Sequence, residues 1–429
     1  MKRDIQFVVM AILVLIIVGS LLVALVSLSD SLGWGWQTLR ARLQYAINPP
    51  QAVVFRPQAS DTPAPDETPT ARPAFTRTPT IDLSTPTLTP LPPTETPPPT
   101  LPPTPLPAQA NLSGILHMYQ MMNNCGPANL AMALTYWGWK GDQRDTAAIL
   151  KPNKQDKNVM PYEMAEYVET QTDLQAVVRA AGDLPTLKAL IASGFPVIVE
   201  KGFEGAGFDG WMGHYEVLSG FDDARGVFIA QDSYKGPDLP VPYDELLRQW
   251  RAFNYTYIVI YPPERRQAVL DILGLNAYDN FNNRAAEARA AAEIPALQGR
   301  DLFFALFNQG TARVALGDYT AAAASYDSAF ANYALLPEDE RPWRMLWYQT
   351  GPYFAYYYIG RYVDVAALAT QTLDSMSDPI LEESFYWRAK AEYALGDQDA
   401  ATADYQQCVK VHTDFQPCVE ELQKLGVEP

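Results

Sequence analysis

"CGPANLAMALTYWGW", Cys125 to Trp139, is the stretch from which the rest of the chain is read. Leu130, Ala133, Leu134 and Trp137 recur at helical spacing, which predicts a helix with Cys125 in its first turn. A helix N-terminus carries partial positive charge and lowers a thiol pKa, producing the nucleophilic thiolate. Gly126 beside it lets backbone approach a substrate closely. Taken alone, a cysteine on an apolar helix is more often a small buried hydrophobe.

Downstream, "PYEMAEYVET" from Pro161 starts a helix on proline, and "DLPTLKALIASG" ends one at Gly194. Four apolar runs bounded by Gly, Pro or Asp then read as strands: "FPVIVEKG" from Phe195, "HYEVLSGFDD" from His214, "GVFIAQD" from Gly226 and "NYTYIVIYPP" from Asn254. The expectation for 109–264 is an α+β domain, with the cysteine helix packed on an antiparallel sheet.

A thiolate nucleophile needs a base, and the chain has 3 histidines. His117 lies just before the cysteine, and His412 falls in a later helical region. His214 opens a predicted strand, which can hold an imidazole rigidly against the thiol. Asp232 ends the next predicted strand and can accept the other ring N–H, with Asp222 as second choice. Asp222 and Asp223 otherwise read as turn residues. Gln120, five residues before Cys125, can donate to a developing oxyanion together with the Cys125 backbone N–H. Cys125 and His214 have no paired ligands at metal-site spacing, and the chemistry requires no cofactor.

"YQMMNNCGPANLAMALTYWGW", "GHYEVLSGFDD" and "FIAQDSYKGP" together resemble the C39-type papain-like cysteine peptidases, relatives of the double-glycine leader peptidases that mature bacteriocins. The resemblance implies a papain-like fold, Cys125 as nucleophile, His214 as general base, Asp232 as its orienting partner and Gln120 at the oxyanion hole. The Gln-to-Cys spacing is five here, where many members of the fold have six. No G-x-x-x-x-G-K-[ST] phosphate loop occurs, so coupling to a transporter ATPase is not supported.

Across 265–429 strand signals vanish and alanine becomes frequent. Three segments look alike: "ARVALGDYTAAAASYDSAF", "AYYYIGRYVDVAALATQTL" and "AEYALGDQDAATADYQQCV". Their glycines, Gly317, Gly360 and Gly396, are 43 and 36 residues apart, close to a tetratricopeptide period with insertions. The region resembles a tetratricopeptide-like, all-α repeat domain. That resemblance implies a concave face for a peptide or partner protein, or else a packing scaffold without a ligand.

Ile5 to Ser29 carry no charge and as a helix span roughly 37 Å, enough to cross a bilayer. Lys2 and Arg3 favour a cytoplasmic N-terminus. Residues 1–30 are therefore expected as an uncleaved single-pass anchor, with the folded domains extracytoplasmic. Within 31–108 lies a stretch rich in Pro and Thr, such as "TPTLTPLPPTETPPPTLPPTPLP" ending at Pro107. Proline cannot donate to a helix or sheet, so a disordered, extended stalk is expected, holding the folded part off the membrane. Of 3 cysteines, Cys408 and Cys418 are the natural pair, leaving Cys125 free; the alternative is three reduced thiols. A net charge of −17 argues against nucleic acid as a partner.

The function expected is peptide-bond hydrolysis by a Cys-His-Asp triad. The alternatives are an inactive peptidase-like scaffold whose repeats bind a partner, and a thiol transferase or amidase using the same residues.

Overall fold

The computed structural model describes residues 39–58, 106–204 and 210–429. The chain divides into two compact units, Met1–Val53 with Asp374–Pro379, and Val54–Leu373 with Ile380–Pro429. In the first, residues 39–47 are helical, and Arg40 Nη1 meets Asp378 Oδ1 at 2.7 Å. The expected membrane span, Ile5 to Ser29, and the Pro/Thr-rich stretch 59–105 lie outside the described residues. No described helix is long and apolar enough to cross a membrane.

The second unit begins with a seven-stranded antiparallel sheet. Its strands are β1 (Gln109–Asn111), β2 (Gln175–Arg179), β3 (Val197–Phe203), β4 (Met212–Asp222), β5 (Val227–Asp232), β6 (Gly236–Pro242) and β7 (Tyr257–Tyr261). The order is β2-β7-β3-β4-β5-β6, with β1 beside β4. Helices α1 (Cys125–Tyr136), α2 (Gln143–Leu150) and α3 (Pro161–Gln171) precede most of the sheet, and α4 (Leu184–Ala192) and α5 (Tyr243–Arg251) interrupt it.

Both sheet faces are covered. Ile198, Val217, Ile258 and Ile260 join Leu130, Met132 and Leu134 of α1 in one core. Val197, Val199, Tyr257 and Val259 join Leu187, Leu190 and Trp250 in the other. Neighbouring residues of β3 and β7 thus serve opposite cores, as the period of two requires. A sheet buried on both faces reads as unbroken apolar runs, which is why these strands were visible in the sequence. Each enclosed Ile, Leu or Val contributes roughly 1.5–3 kcal/mol. β6 lies at the sheet edge and carries Pro237, Pro240 and Pro242, residues that only an edge tolerates.

The rest of the unit is helical. After α6 (Arg266–Leu273) and α7 (Asp279–Glu293) come three helix hairpins: α8 (Gly299–Ala315) with α9 (Tyr319–Leu335), α10 (Gly351–Tyr358) with α11 (Tyr362–Asp374), and α12 (Glu382–Ala394) with α13 (Gln398–Val411). The chain closes with α14 (Gln416–Lys424). Gly317, Gly360 and Gly396 make the three turns at φ +80°, +79° and +93°, the left-handed stop that only glycine adopts freely. Asp318 and Asp397 follow as N-caps, accepting from the N–H groups of Ala321 and Ala400. The longer glycine interval holds an inserted segment, 337–350, with two 3-10 turns. Cys408 and Cys418 are disulfide-bonded, and Cys125 is a free thiol.

The insertion packs on the sheet domain. Arg344 Nη1 donates to Trp211 O at 2.9 Å, Gln349 Nε2 donates to Ala252 O at 2.9 Å, and Trp211 contacts the Phe253, Phe304 and Tyr348 rings. Part of the juxtamembrane segment, just before the expected Pro/Thr-rich stalk, packs on the helical region. Phe55 is 6% exposed, packed edge-on against Phe330 with ring centroids 5.0 Å apart. The Gln58 N–H donates to Asp364 Oδ1 at 2.8 Å. Residues 54–58 are therefore part of the folded unit.

Candidate active site

Three elements meet around Cys125: the N-terminus of α1, strand β4 and the end of β5. α1 is buried on nearly all sides from Gly126 to Thr135, so its position is set by packing. Gly126 serves that packing and not substrate access: a Cβ there would lie 3.1 Å from Val159 Cβ and 3.7 Å from the Tyr215 ring.

His214 Nε2 lies 3.0 Å from Asp232 Oδ1, with both side chains buried. The Cys125 thiol interacts with the same ring and helps raise its pKa. With Nε2 committed to Asp232, Nδ1 is the nitrogen left for sulfur. Asp232 Oδ1 further accepts the backbone N–H groups of Tyr234 at 2.8 Å and Lys235 at 3.0 Å. Burial alone would raise the Asp232 carboxyl pKa, but these donors and the His214 charge hold it well below the usual range. Burial likewise opposes a charged His214; the bonds to Asp232 and Cys125 outweigh it and push the ring up to about 9. The Cys125 thiol is lowered despite its burial, by the His214 hydrogen bond and charge, the Lys151 charge and the Tyr215 backbone N–H. The arrangement favours a thiolate–imidazolium pair at neutral pH.

Gln120 joins the site through a polar network. Its N–H donates to Ser233 O at 2.8 Å, and its Oε1 accepts from Ser233 Oγ at 2.8 Å. Ser233 Oγ accepts from Asn129 Nδ2 at 2.9 Å. Asn129 also donates to Cys125 O at 2.9 Å and Tyr215 O at 2.7 Å. With Oε1 engaged, the donor end of the Gln120 amide is the end available to an oxyanion. Gln143, 8% exposed, clamps the same loop: it donates to Tyr119 O and accepts from the Met121 N–H and Asn124 Nδ2.

The remaining sequence candidates fall elsewhere. Asp222 pairs with Gln109 at the far end of β4 and accepts the Arg225 N–H in a turn. Asp223 accepts from Lys188 Nζ and Tyr243 Oη. His412 Nδ1 lies 3.1 Å from Glu382 in the helical region. His117 stacks edge-on with Tyr119, and burial lowers its pKa.

Sequence reasoning missed Asn129, Ser233, Lys151 and Tyr348. Asn129 had a signal, since a lone amide one turn beyond Cys125 on an otherwise apolar helix must find partners. Tyr348 had none. It comes from the inserted segment, is buried, and its hydroxyl receives a hydrogen bond from the Gly213 backbone, next to His214. A Cβ at Gly213 would fall 3.0 Å from the Tyr348 ring, so glycine is required for that contact.

Residues 105–258 match the model of the Peptidase_C39 like family. Among solved structures, the chain is similar to a Bacillus anthracis protein described as a C39-like peptidase, at 18% identity over 35% of this chain and 96% of that one, with a TM-score of 0.30. It is also similar to a double glycine motif protease from an AMS/PCAT transporter, solved with a leader peptide. There the identity is 21% over 36% of this chain and 94% of that one, with a TM-score of 0.28. No curated protein matches.

Proposed function

Taking residues 105–258 as a C39-like peptidase domain, we propose that the chain hydrolyses peptide bonds with Cys125 as nucleophile, His214 as acid and base, Asp232 as its orienting partner and Gln120 as an oxyanion donor. The observation that carries this reading is the His214 ring bridging the Asp232 carboxylate and the Cys125 thiol at a helix N-terminus.

In this reading the thiolate attacks the scissile carbonyl carbon, and the carbonyl oxygen gathers negative charge. The Gln120 amide and the Cys125 N–H stabilise that oxyanion. Imidazolium His214 gives its proton to the departing amine, leaving a thioester on Cys125. Neutral His214 then takes a proton from water, whose oxygen attacks the thioester. Collapse releases the carboxylate product and restores the thiolate–imidazolium pair.

The wider reading is a membrane-anchored, extracytoplasmic enzyme whose helical region, tetratricopeptide-like in its hairpins, engages a protein or peptide. The apolar run Ile5 to Ser29 behind Lys2 and Arg3 supports the anchor. The Cys408–Cys418 bridge supports an oxidising compartment.

The test is Cys125→Ala in the full chain, with cleavage of a peptide library and labelling by a thiol-directed peptidase inhibitor. Loss of both is expected. Cleavage that persists in Cys125→Ala would overturn the mechanism. Product analysis with added amine acceptors separates hydrolysis from transfer.

A further inference from the structure

Lys151 is 4% exposed, which is unusual for an ammonium. It is the C-cap of α2, at φ −137° and ψ 70°, and its Nζ donates to Asn123 O at 2.5 Å. Asn123 sits two residues before Cys125 at φ +53°, a left-handed conformation that asparagine adopts more readily than most non-glycine residues. One neutral carbonyl does not compensate a buried cation. Among the described residues no carboxylate makes an ion pair with Lys151. The negative groups whose fields reach it are Asp156 and Cys125, with Lys157 opposing.

We propose that Lys151 is a positioning residue of the active site, whose ammonium fixes the Asn123 turn that delivers Gln120 and Cys125, and whose charge favours the thiolate. The proposal rests on Cys125 being the nucleophile. The geometry divides the two roles: the hydrogen bond to Asn123 O holds the loop, while the charge acts across the site on sulfur. Three further titratable groups face Cys125 or feel its charge: Glu200 of β3, Tyr215 of β4 and Tyr348 of the inserted segment. His214 supplies the second cation. The thiolate is thus flanked by two cations, His214 and Lys151, and burial lowers the pKa of the second.

The experiment is alkylation of Cys125 by iodoacetamide across pH 4 to 10 in the full chain, followed by mass spectrometry. Cys125 is the free cysteine of the chain. Lys151→Met should move the acid limb of the rate profile up by about one pH unit, the effect of losing a nearby opposite charge. Lys151→Arg keeps the charge and should leave that limb in place while lowering the plateau. A Lys151→Met profile with an unmoved acid limb would reduce Lys151 to a structural role and overturn the proposal. Should Lys151→Met not fold, Lys151→Arg decides alone: an acid limb displaced by a unit despite the retained charge refutes it. If wild-type Cys125 alkylates like an ordinary exposed thiol, with no depressed acid limb, the peptidase reading fails first, and the two failures are told apart.

Discussion

His214 Nε2 and Asp232 Oδ1 stand 3.0 Å apart on adjacent antiparallel strands, and that bond leaves the other ring nitrogen, Nδ1, to Cys125. Asp232→Asn keeps the size of the side chain and removes the charge. The Asp232 carboxylate favours the imidazolium, so without it the ring loses its proton at lower pH. The alkaline limb of activity, set in the wild type by a ring pushed up to about 9, should move to lower pH. kcat should fall about 10²- to 10⁴-fold. A pH–rate profile with the alkaline limb unmoved would deny Asp232 this role.

Ser233 donates to Gln120 Oε1, so Ser233→Ala should loosen the proposed oxyanion donor without touching the thiol. Removing one such donor costs about 10²- to 10³-fold in kcat. Misorienting it should cost less, about tenfold, with KM nearly constant and the pH limbs unchanged. Steady-state kinetics beside Gln120→Ala checks this: in a Gln120→Ala background, Ser233→Ala should have no further effect.

Tyr348 links the helical region to the residue before His214. Tyr348→Phe leaves the ring packing but removes the hydroxyl that meets the Gly213 backbone, at about 0.5–1.5 kcal/mol. A fall in kcat larger than any change in KM is expected, together with a lower Tm. Wild-type kinetics in Tyr348→Phe would mean that the helical region contributes nothing to His214.

Phe55 is enclosed by Phe330 and Tyr356. Phe55→Ala should cost about 3 kcal/mol, the low end for a buried aromatic. Limited proteolysis should then cut near Gln58 well before the helical region is attacked. Equal cleavage rates in the two proteins would show that the segment is not held by this contact.

Much was legible along the chain. The strands of Phe195, His214, Gly226 and Asn254 were found because each carries an apolar run bounded by Gly, Pro or Asp, and the three hairpin turns because glycine alone suits their positive φ. Cys125, His214 and Asp232 were placed by order and by element ends, and they meet. β1 was not found because three residues carry too little periodicity, and β2 because its apolar run is only Ala176 to Val178, between Gln175 and Arg179. β6 was hidden by prolines that are tolerated because it lies at an edge.

The sequence by itself determined which residues are candidates for chemistry, since a thiol in a helix's first turn and an imidazole at a strand's start are local properties of the chain. Only the tertiary structure decided what surrounds them. Lys151 and Tyr348 reach the site because α2 ends against the Asn123 turn and an insertion between hairpins folds back on β4. Burial and distance across the fold, which no local pattern encodes, turn an ordinary lysine and an ordinary tyrosine into parts of the site.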